Sequence, residues 1–321
     1  MNEFIFSINT VLPLILLVAL GFFIKKISLL PDAFYPAAEK LVFKIALPCS
    51  LFLSVSRADP NTAFSVKLIL FCVIGIVLSS LVIGLVAIPL TKDNAERGAF
   101  IQGGYRSNFA LLGSALADRL FPATGMAAAS ALMPFSIPLF NVIAVAIFSV
   151  YSPSEKKLSP LDTLKKTLIG IVTNPLIIGI ALGIPFMLTG WTIPVIASGT
   201  LQYVANIASP LALICIGASI GSGFETGKLG KAFASALIKT AFLPAVMVVI
   251  AALMGFRDVE LGLILILFGS PTAVSSYIMA KNMGSDHKLA AQILLISTIL
   301  CAFTLFIGIY ILALLSLIPM T

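Results

Sequence analysis

Residues 13–21 read PLILLVALG and residues 175–183 read PLIIGIALG, so six of nine positions agree across a spacing of 162 residues. The same spacing lays residues 42–51 (VFKIALPCSL) on 204–213 (VANIASPLAL), where five of ten agree and Pro48 falls on Pro210. A chain rich in Leu, Ile, Val and Ala matches itself by chance, but composition does not align prolines at one fixed spacing. The sequence reads as a duplication. Five apolar segments fall in each copy, and an odd number turns the second copy upside down in a membrane relative to the first. Inverted repeats are an architecture of secondary transporters.

Composition points the same way. Of 321 residues, 60% are hydrophobic and 10% charged, with a mean hydropathy of +1.12. A soluble domain carries roughly a quarter of its residues as charges. A helix needs about 20 mostly apolar residues to cross a hydrocarbon core of roughly 30 Å. Such runs lie near 5–24, 34–55, 66–90, 97–117, 126–150, 166–188, 194–220, 232–255, 259–280 and 288–316, which predicts an all-α polytopic membrane protein of ten transmembrane helices. The runs are too continuous for the alternating strands of a membrane barrel. With Glu3 as its only early charge, the first run reads as a retained span and not as a signal peptide. Cys49, Cys72, Cys215 and Cys301 all lie inside apolar runs, as small hydrophobes do. Disulfide frameworks, CxxC pairs and zinc spacings are absent from the sequence, so no metal ligands and no cofactor are expected.

The net charge of +7 follows topology and does not call for a nucleic acid partner. With the N-terminus outside, the inside loops carry Lys25, Lys26, Lys92, Arg97, Lys156, Lys157, Lys165, Lys166, Lys228, Lys231, Lys281 and Lys288. The outside loops carry only Arg57, Lys67, Arg119 and Arg257. This is the positive-inside pattern. It predicts a multi-pass protein of the cell (plasma or inner) membrane, embedded in the lipid bilayer with both termini outside. The organisation is then a first five-helix repeat over 1–150, a polar cytoplasmic linker over 151–165, and a second, inverted repeat over 166–321.

Function should therefore sit inside the membrane. Two segments at matching places are interrupted: Gly103-Gly104-Tyr105-Arg106-Ser107-Asn108 in the fourth, and Gly269-Ser270-Pro271-Thr272 in the ninth. Proline removes a backbone donor and glycine lowers the cost of unwinding, so Gly103, Gly104, Gly269 and Pro271 are the expected break residues. Pro48 and Pro210 are expected to interrupt the second and seventh segments. Interrupted helices at corresponding places in two halves are the best sequence pointer to a transport site.

Several motifs in order resemble the auxin efflux carrier family, in its compact bacterial form. They are Ile45–Phe52 (IALPCSLF), Arg106–Gly113 (RSNFALLG), Thr173-Asn174-Pro175, Ser209–Leu213 (SPLAL), Gly269–Thr272 (GSPT) and Ala280-Lys281. The match runs over nearly the whole chain and keeps the order of elements. The resemblance implies two inverted five-helix repeats, with broken helices four and nine crossing near the midplane, as in sodium–bile acid symporters and sodium–proton antiporters. It also implies alternating access and an organic anion as cargo: indole-3-acetate in plant members, dicarboxylates such as malonate in bacterial ones. The long cytoplasmic loop of plant carriers is missing. Arg106-Ser107-Asn108 also stands where relatives often have a proline.

The residues support an anion independently. Arg106 lies near the middle of its segment, where a charge costs about 2.5–3.5 kcal/mol on insertion scales and so marks a pathway or a partner. No Asp or Glu falls in the central part of any segment, so the sequence supplies no counter-ion for it. Half-helix N-termini at a crossing add partial positive charge, and a guanidinium grips a carboxylate bidentately. Packing of Arg106 against unwound carbonyls is the other reading. Asn108, Ser270, Pro271 and Thr272 belong to the same crossing, and for Asn108 a capping role is equally open. Thr272, Ser275, Ser276 and Met279 share a helical face, which serves helix–helix packing as readily as substrate. Gln102 lies one turn before Arg106. In the seventh segment Gln202, Asn206 and Pro210 share a face, matched in the second by Lys40, Lys44 and Pro48, where lysines of this length can snorkel. Asn141 and Asn174 read as packing residues.

No catalytic set is present: the single histidine, His287, lies in a loop between Asp286 and Lys288, and paired aspartates are missing. The expectation is a secondary carrier, not an enzyme, moving a mono- or dicarboxylate. A sodium-coupled organic anion symporter and a non-transporting membrane receptor are the alternatives. Coupling to Na+ or H+, or simple uniport, stays open, as does assembly into a homodimer.

Overall fold

The structure is a computed structural model describing residues 13, 16–57, 65–109, 113, 116–117, 120–121, 124–151, 169, 172–221 and 226–318. The expected linker from residue 152 to 165, the start of the first segment and most of the fourth segment beyond its break lie outside the described residues. So do Arg119, Lys156, Lys157, Lys165 and Lys166.

Among the described residues the chain forms eleven helices and no strand. They are α1 (16–26), α2 (34–56), α3 (Val66–Leu90), α4 (Asn94–Tyr105), α5 (Gly125–Val150) and α6 (Pro175–Thr189). Then follow α7 (Val195–Gly221), α8 (229–253), α9 (Asp258–Gly269), α10 (Ser275–Asn282) and α11 (His287–Leu314). Five stretches are long and apolar enough to cross a membrane: Val66–Leu90, Ala131–Val150, Val195–Ala218, Thr226–Leu253 and His287–Leu314. The protein is a multi-pass membrane protein whose described residues are helical apart from the connections.

Helix α3 shows why. Val66, Leu70, Ile74, Leu78, Leu81 and Leu85 stand exposed along one stripe, while Leu68, Cys72, Ile76 and Ile83 are buried on the opposite one. The helix is apolar all round, so only lipid can cover the exposed stripe at no cost. Helix ends carry ordinary caps. Asp93 Oδ1 accepts from Glu96 N–H at 2.8 Å, Asn174 Oδ1 from Leu176 N–H at 2.9 Å, and Asp286 Oδ1 from Leu289 N–H at 3.0 Å. Each satisfies a backbone donor that the first turn leaves free. Asn174 is therefore a cap, with Pro175 at the first helical position, where a missing N–H costs nothing.

Prolines inside the helices act more gently than breaks. Pro48 follows a π-turn over Val42–Ala46 and Pro244 follows one over Ile238–Phe242. In each the preceding leucine N–H reaches back to the fifth carbonyl, Leu47 to Val42 and Leu243 to Ile238. The wider turn makes room for the proline ring and keeps the helix continuous. Pro210 lies inside α7 without interrupting it. Neither Pro48 nor Pro210 breaks its helix.

The fourth and ninth segments are broken outright. Helices α4 and α9 are each 12 residues long and each ends in an extended residue, Arg106 (φ −71°, ψ 136°) and Ser270 (φ −59°, ψ 147°). Twelve helical residues span about 18 Å, well short of the hydrocarbon core, so both breaks fall at membrane depth. Gly103 and Gly104 are helical and precede the break. A Cβ on Gly103 would lie 2.7 Å from the Ile293 side chain, so this glycine serves close packing against α11. Helix α9 packs in one large apolar cluster with α3 and α5, and α10 in another with α2 and α7.

The sequence repeat has a structural counterpart. A Cβ on Gly183, the last residue of the second repeated motif, would lie 2.9 Å from the Phe52 carbonyl oxygen, so α6 and α2 touch backbone to backbone. A Cβ on Gly21, the last residue of the first motif, would run into the Ile214 carbonyl oxygen, closing α1 on α7. Gly21 with Gly183, and Phe52 with Ile214, are separated by the same 162 residues that align the motifs.

The loops sort by charge. Lys231 pairs with Glu96 at 2.5 Å and Lys228 with Asp286 at 2.7 Å, while Asp286 N–H and Ser285 Oγ both donate to Ala95 O. These residues bring three of the basic loops to one end of the bundle. At the other end Lys67 Nζ donates to Met254 O at 2.6 Å.

Candidate functional site

The two breaks meet. Asn108 N–H donates to Pro271 O at 2.8 Å, and Thr272 Oγ1 donates to Gly103 O at 2.6 Å. Each bond satisfies backbone that a continuous helix would have paired with itself, which is what allows irregular chain at this depth. Ser270 turns inward, its hydroxyl donating to Ile266 O at 2.7 Å.

Beside the crossing is a cavity of about 540 Å³, walled by α2, α5, α7 and the residues of both breaks. Arg106 and Arg57 both line it. Arg106 is only 3% exposed and lies at its floor. Its Nη2 donates to Asn141 Oδ1 at 2.8 Å and to Ser275 Oγ at 2.7 Å, and its Nη1 to Met279 Sδ at 2.8 Å. All three partners are neutral, and a thioether is a weak acceptor. Arg106 Nε and the adjacent Ser107 Oγ are buried without a hydrogen-bond partner among the described residues. No carboxylate among the described residues pairs with Arg106. The guanidinium is thus held by neutral groups only, with an unused donor at Nε and the first residue of α10, Ser275, among its partners.

At the cavity's exposed rim Arg57 Nη1 donates to Gln202 Oε1 at 2.6 Å and Nη2 to Ser198 Oγ at 2.9 Å. Gln202 in turn donates to Asn206 Oδ1 at 2.8 Å. Ser50, Ser54 and Ser209 also line the cavity, and Leu51, Phe109, Ile137, Phe140 and Leu176 make much of the remaining wall apolar. Polar groups set into a partly apolar wall suit a small organic ligand.

Of the residues singled out in the sequence, Arg106, Asn108, Ser275 and Gln202 line this cavity. Ser270, Pro271 and Thr272 build the crossing behind it, and Asn206 holds Gln202 from outside it. Gln102 is fully buried against Met279, its amide donating to the sulfur at 3.9 Å. Lys40 and Lys44 are exposed on the surface of α2. Sequence reasoning missed Arg57, set aside as a loop charge, and Asn141, read as packing. The signal for Asn141 was present: it is a lone amide in an apolar run, and polar groups at that depth tend to be functional. Among the described residues no three His, Cys, Asp or Glu side chains gather to hold a metal ion.

Comparison with known proteins fits this geometry. A family model described as "Membrane transport protein" matches residues 6–309. An uncharacterized transporter of Methanothermobacter thermautotrophicus is 23% identical over 299 residues, covering 92% of this chain and 95% of the relative. An uncharacterized transporter of Methanocaldococcus jannaschii is 24% identical over 299 residues, covering 90% and 94%. With a family match from end to end and a broken-helix crossing beside a cavity, the chain belongs to the membrane transport protein family, that of the auxin efflux carriers.

Proposed function

We propose that the protein is a secondary transporter for a small organic anion, a mono- or dicarboxylate, working by alternating access. The observation that carries this reading is Arg106: a buried guanidinium at a helix break, on a cavity wall, with neutral partners only. A carboxylate takes the unused Nε–H and an Nη2–H given up by Asn141 or Ser275, while Ser107 Oγ and Asn108 are within the same lining. Arg57 at the rim draws anions in and offers a dicarboxylate its second contact.

The architecture proposed for this function is ten spans in two inverted five-helix repeats, 1–150 and 166–321, joined by a cytoplasmic linker. The matched contacts of Gly21 with Ile214 and of Gly183 with Phe52 support it. In the proposed cell-membrane topology, with both termini outside, the Arg57 rim faces the exterior and the basic loops face the cytoplasm.

The test is thermal stability of the purified protein against mono- and dicarboxylates, their neutral amides and organic cations, for wild type and Arg106→Ala. A ligand that binds only the folded state raises the melting temperature with occupancy. Carboxylates should stabilise wild type and leave Arg106→Ala unmoved, because losing one partner of a buried charge pair costs about 2–5 kcal/mol, or at least about 30-fold in affinity. Counterflow of the stabilising carboxylate in proteoliposomes then separates a carrier from a receptor. Stabilisation by amides or cations alone would reject the anion reading.

A further inference from the structure

A second buried cation lies at the other break. Lys239 is 0% exposed, in the middle of α8. Its ammonium donates to the carbonyl of Phe268, the next-to-last residue of α9. No carboxylate among the described residues pairs with it. The π-turn ahead of Pro244 contains Lys239 and sets the direction in which its side chain leaves α8.

The position matters more than the bond. The C-terminal end of a half-helix carries partial negative charge and unpaired carbonyls, and in transporters with discontinuous helices such ends coordinate the coupling cation. The two halves of this protein treat that end differently. In α4, Thr272 Oγ1 donates to Gly103 O at 2.6 Å, so a neutral hydroxyl meets an end carbonyl. In α9 the amino group of a buried lysine does so. A hydroxyl would satisfy one carbonyl without the several kcal/mol that burying an ion costs. The charge itself is therefore the feature to be explained.

We propose that Lys239 is a tethered cation that occupies the cation site at the α9 break, so that the protein needs no free sodium or potassium ion there. Its consequence for transport, that anion movement is indifferent to the metal cation present, rests on the carrier reading above. The occupancy of the site does not.

The experiment compares melting temperatures of wild type and Lys239→Ala in choline, sodium, lithium and methylammonium chloride at equal ionic strength. Wild type should melt alike in all four salts. Lys239→Ala should melt lower in choline, which is too large to enter, and recover saturably with methylammonium or sodium as the small cation refills the site. An Ala variant that melts like wild type, or that melts lower and ignores small cations, overturns the proposal. So does specific stabilisation of wild type by sodium over choline, which is decisive even where Lys239→Ala fails to fold. In proteoliposomes, malonate uptake by wild type should run at equal rates in sodium and choline, and dependence on sodium overturns the proposal. The melting comparisons use no carboxylate, so they decide the cation site even where malonate does not bind. Failure of malonate to bind counts against the anion reading alone.

Discussion

Asn108 donates its backbone N–H to the carbonyl of Pro271 at 2.8 Å, across 163 residues of sequence. These residues hold corresponding places in the two proposed repeats, so on that reading each repeat meets its own counterpart where the broken helices cross. A contact between equivalents is what a pseudo-twofold axis through the crossing produces. It also puts Arg106, two residues before Asn108, beside the crossing.

Asn141→Asp should abolish carboxylate binding while leaving the protein folded. The new carboxylate sits where Asn141 Oδ1 now accepts from Arg106 at 2.8 Å, and so supplies internally the anion that the site takes from solution. Thermal shift with the carboxylate that stabilises wild type should fall to nothing. Asn141→Leu should instead weaken binding and keep a measurable shift.

Thr272→Val tests the crossing. Valine matches the shape but leaves Gly103 O without the 2.6 Å hydroxyl donor, at a cost of about 1–3 kcal/mol for a buried orphan acceptor. The melting temperature should drop by several degrees. Thr272→Ser should stay close to wild type.

Gly183→Ala and Gly199→Ala should move stability in opposite directions. The first drives a methyl to within 2.9 Å of Phe52 O and of the Val55 side chain, overpacking worth about 1–3 kcal/mol. At Gly199 an added Cβ meets nothing within 4 Å, and Ala gains roughly 0.5–1 kcal/mol of helix preference over Gly. Melting curves of the two purified variants decide it.

Glu96→Gln should loosen the charged end of the bundle. Glu96 Oε2 accepts from Lys231 at 2.5 Å and from Lys92 N–H at 3.1 Å, joining the starts of α4 and α8. The amide keeps the shape and loses the charge, so a drop of about 1 kcal/mol is expected. A double-mutant cycle with Lys231→Met should show that most of the loss is shared by the pair.

Much of this protein was legible in its sequence because a membrane makes local composition decisive. Segment positions follow from 20-residue apolar runs, and helices are found within each of them. Arg106 was visible as a charge in an apolar run, and the motifs of the repeat located both breaks. The exact start of the fourth-segment break was not: Gly103 and Gly104 stay helical because Ile293 and Ile83 pack closely against them, a fact about neighbours on other helices.

What the sequence by itself determined is therefore the class of protein, where its apolar helices lie, its charge asymmetry and the crossing pair. Only the tertiary structure decided which polar groups face one another. It placed Asn141 against Arg106 across 35 residues, Arg57 against Gln202 across 145, and Lys239 against the end of α9 across 29. The physical reason is that lipid selects residues one at a time, by transfer from water, and this leaves its mark on every window of the chain. A binding site depends on distances between side chains that share no window, and those are fixed only when the helices pack.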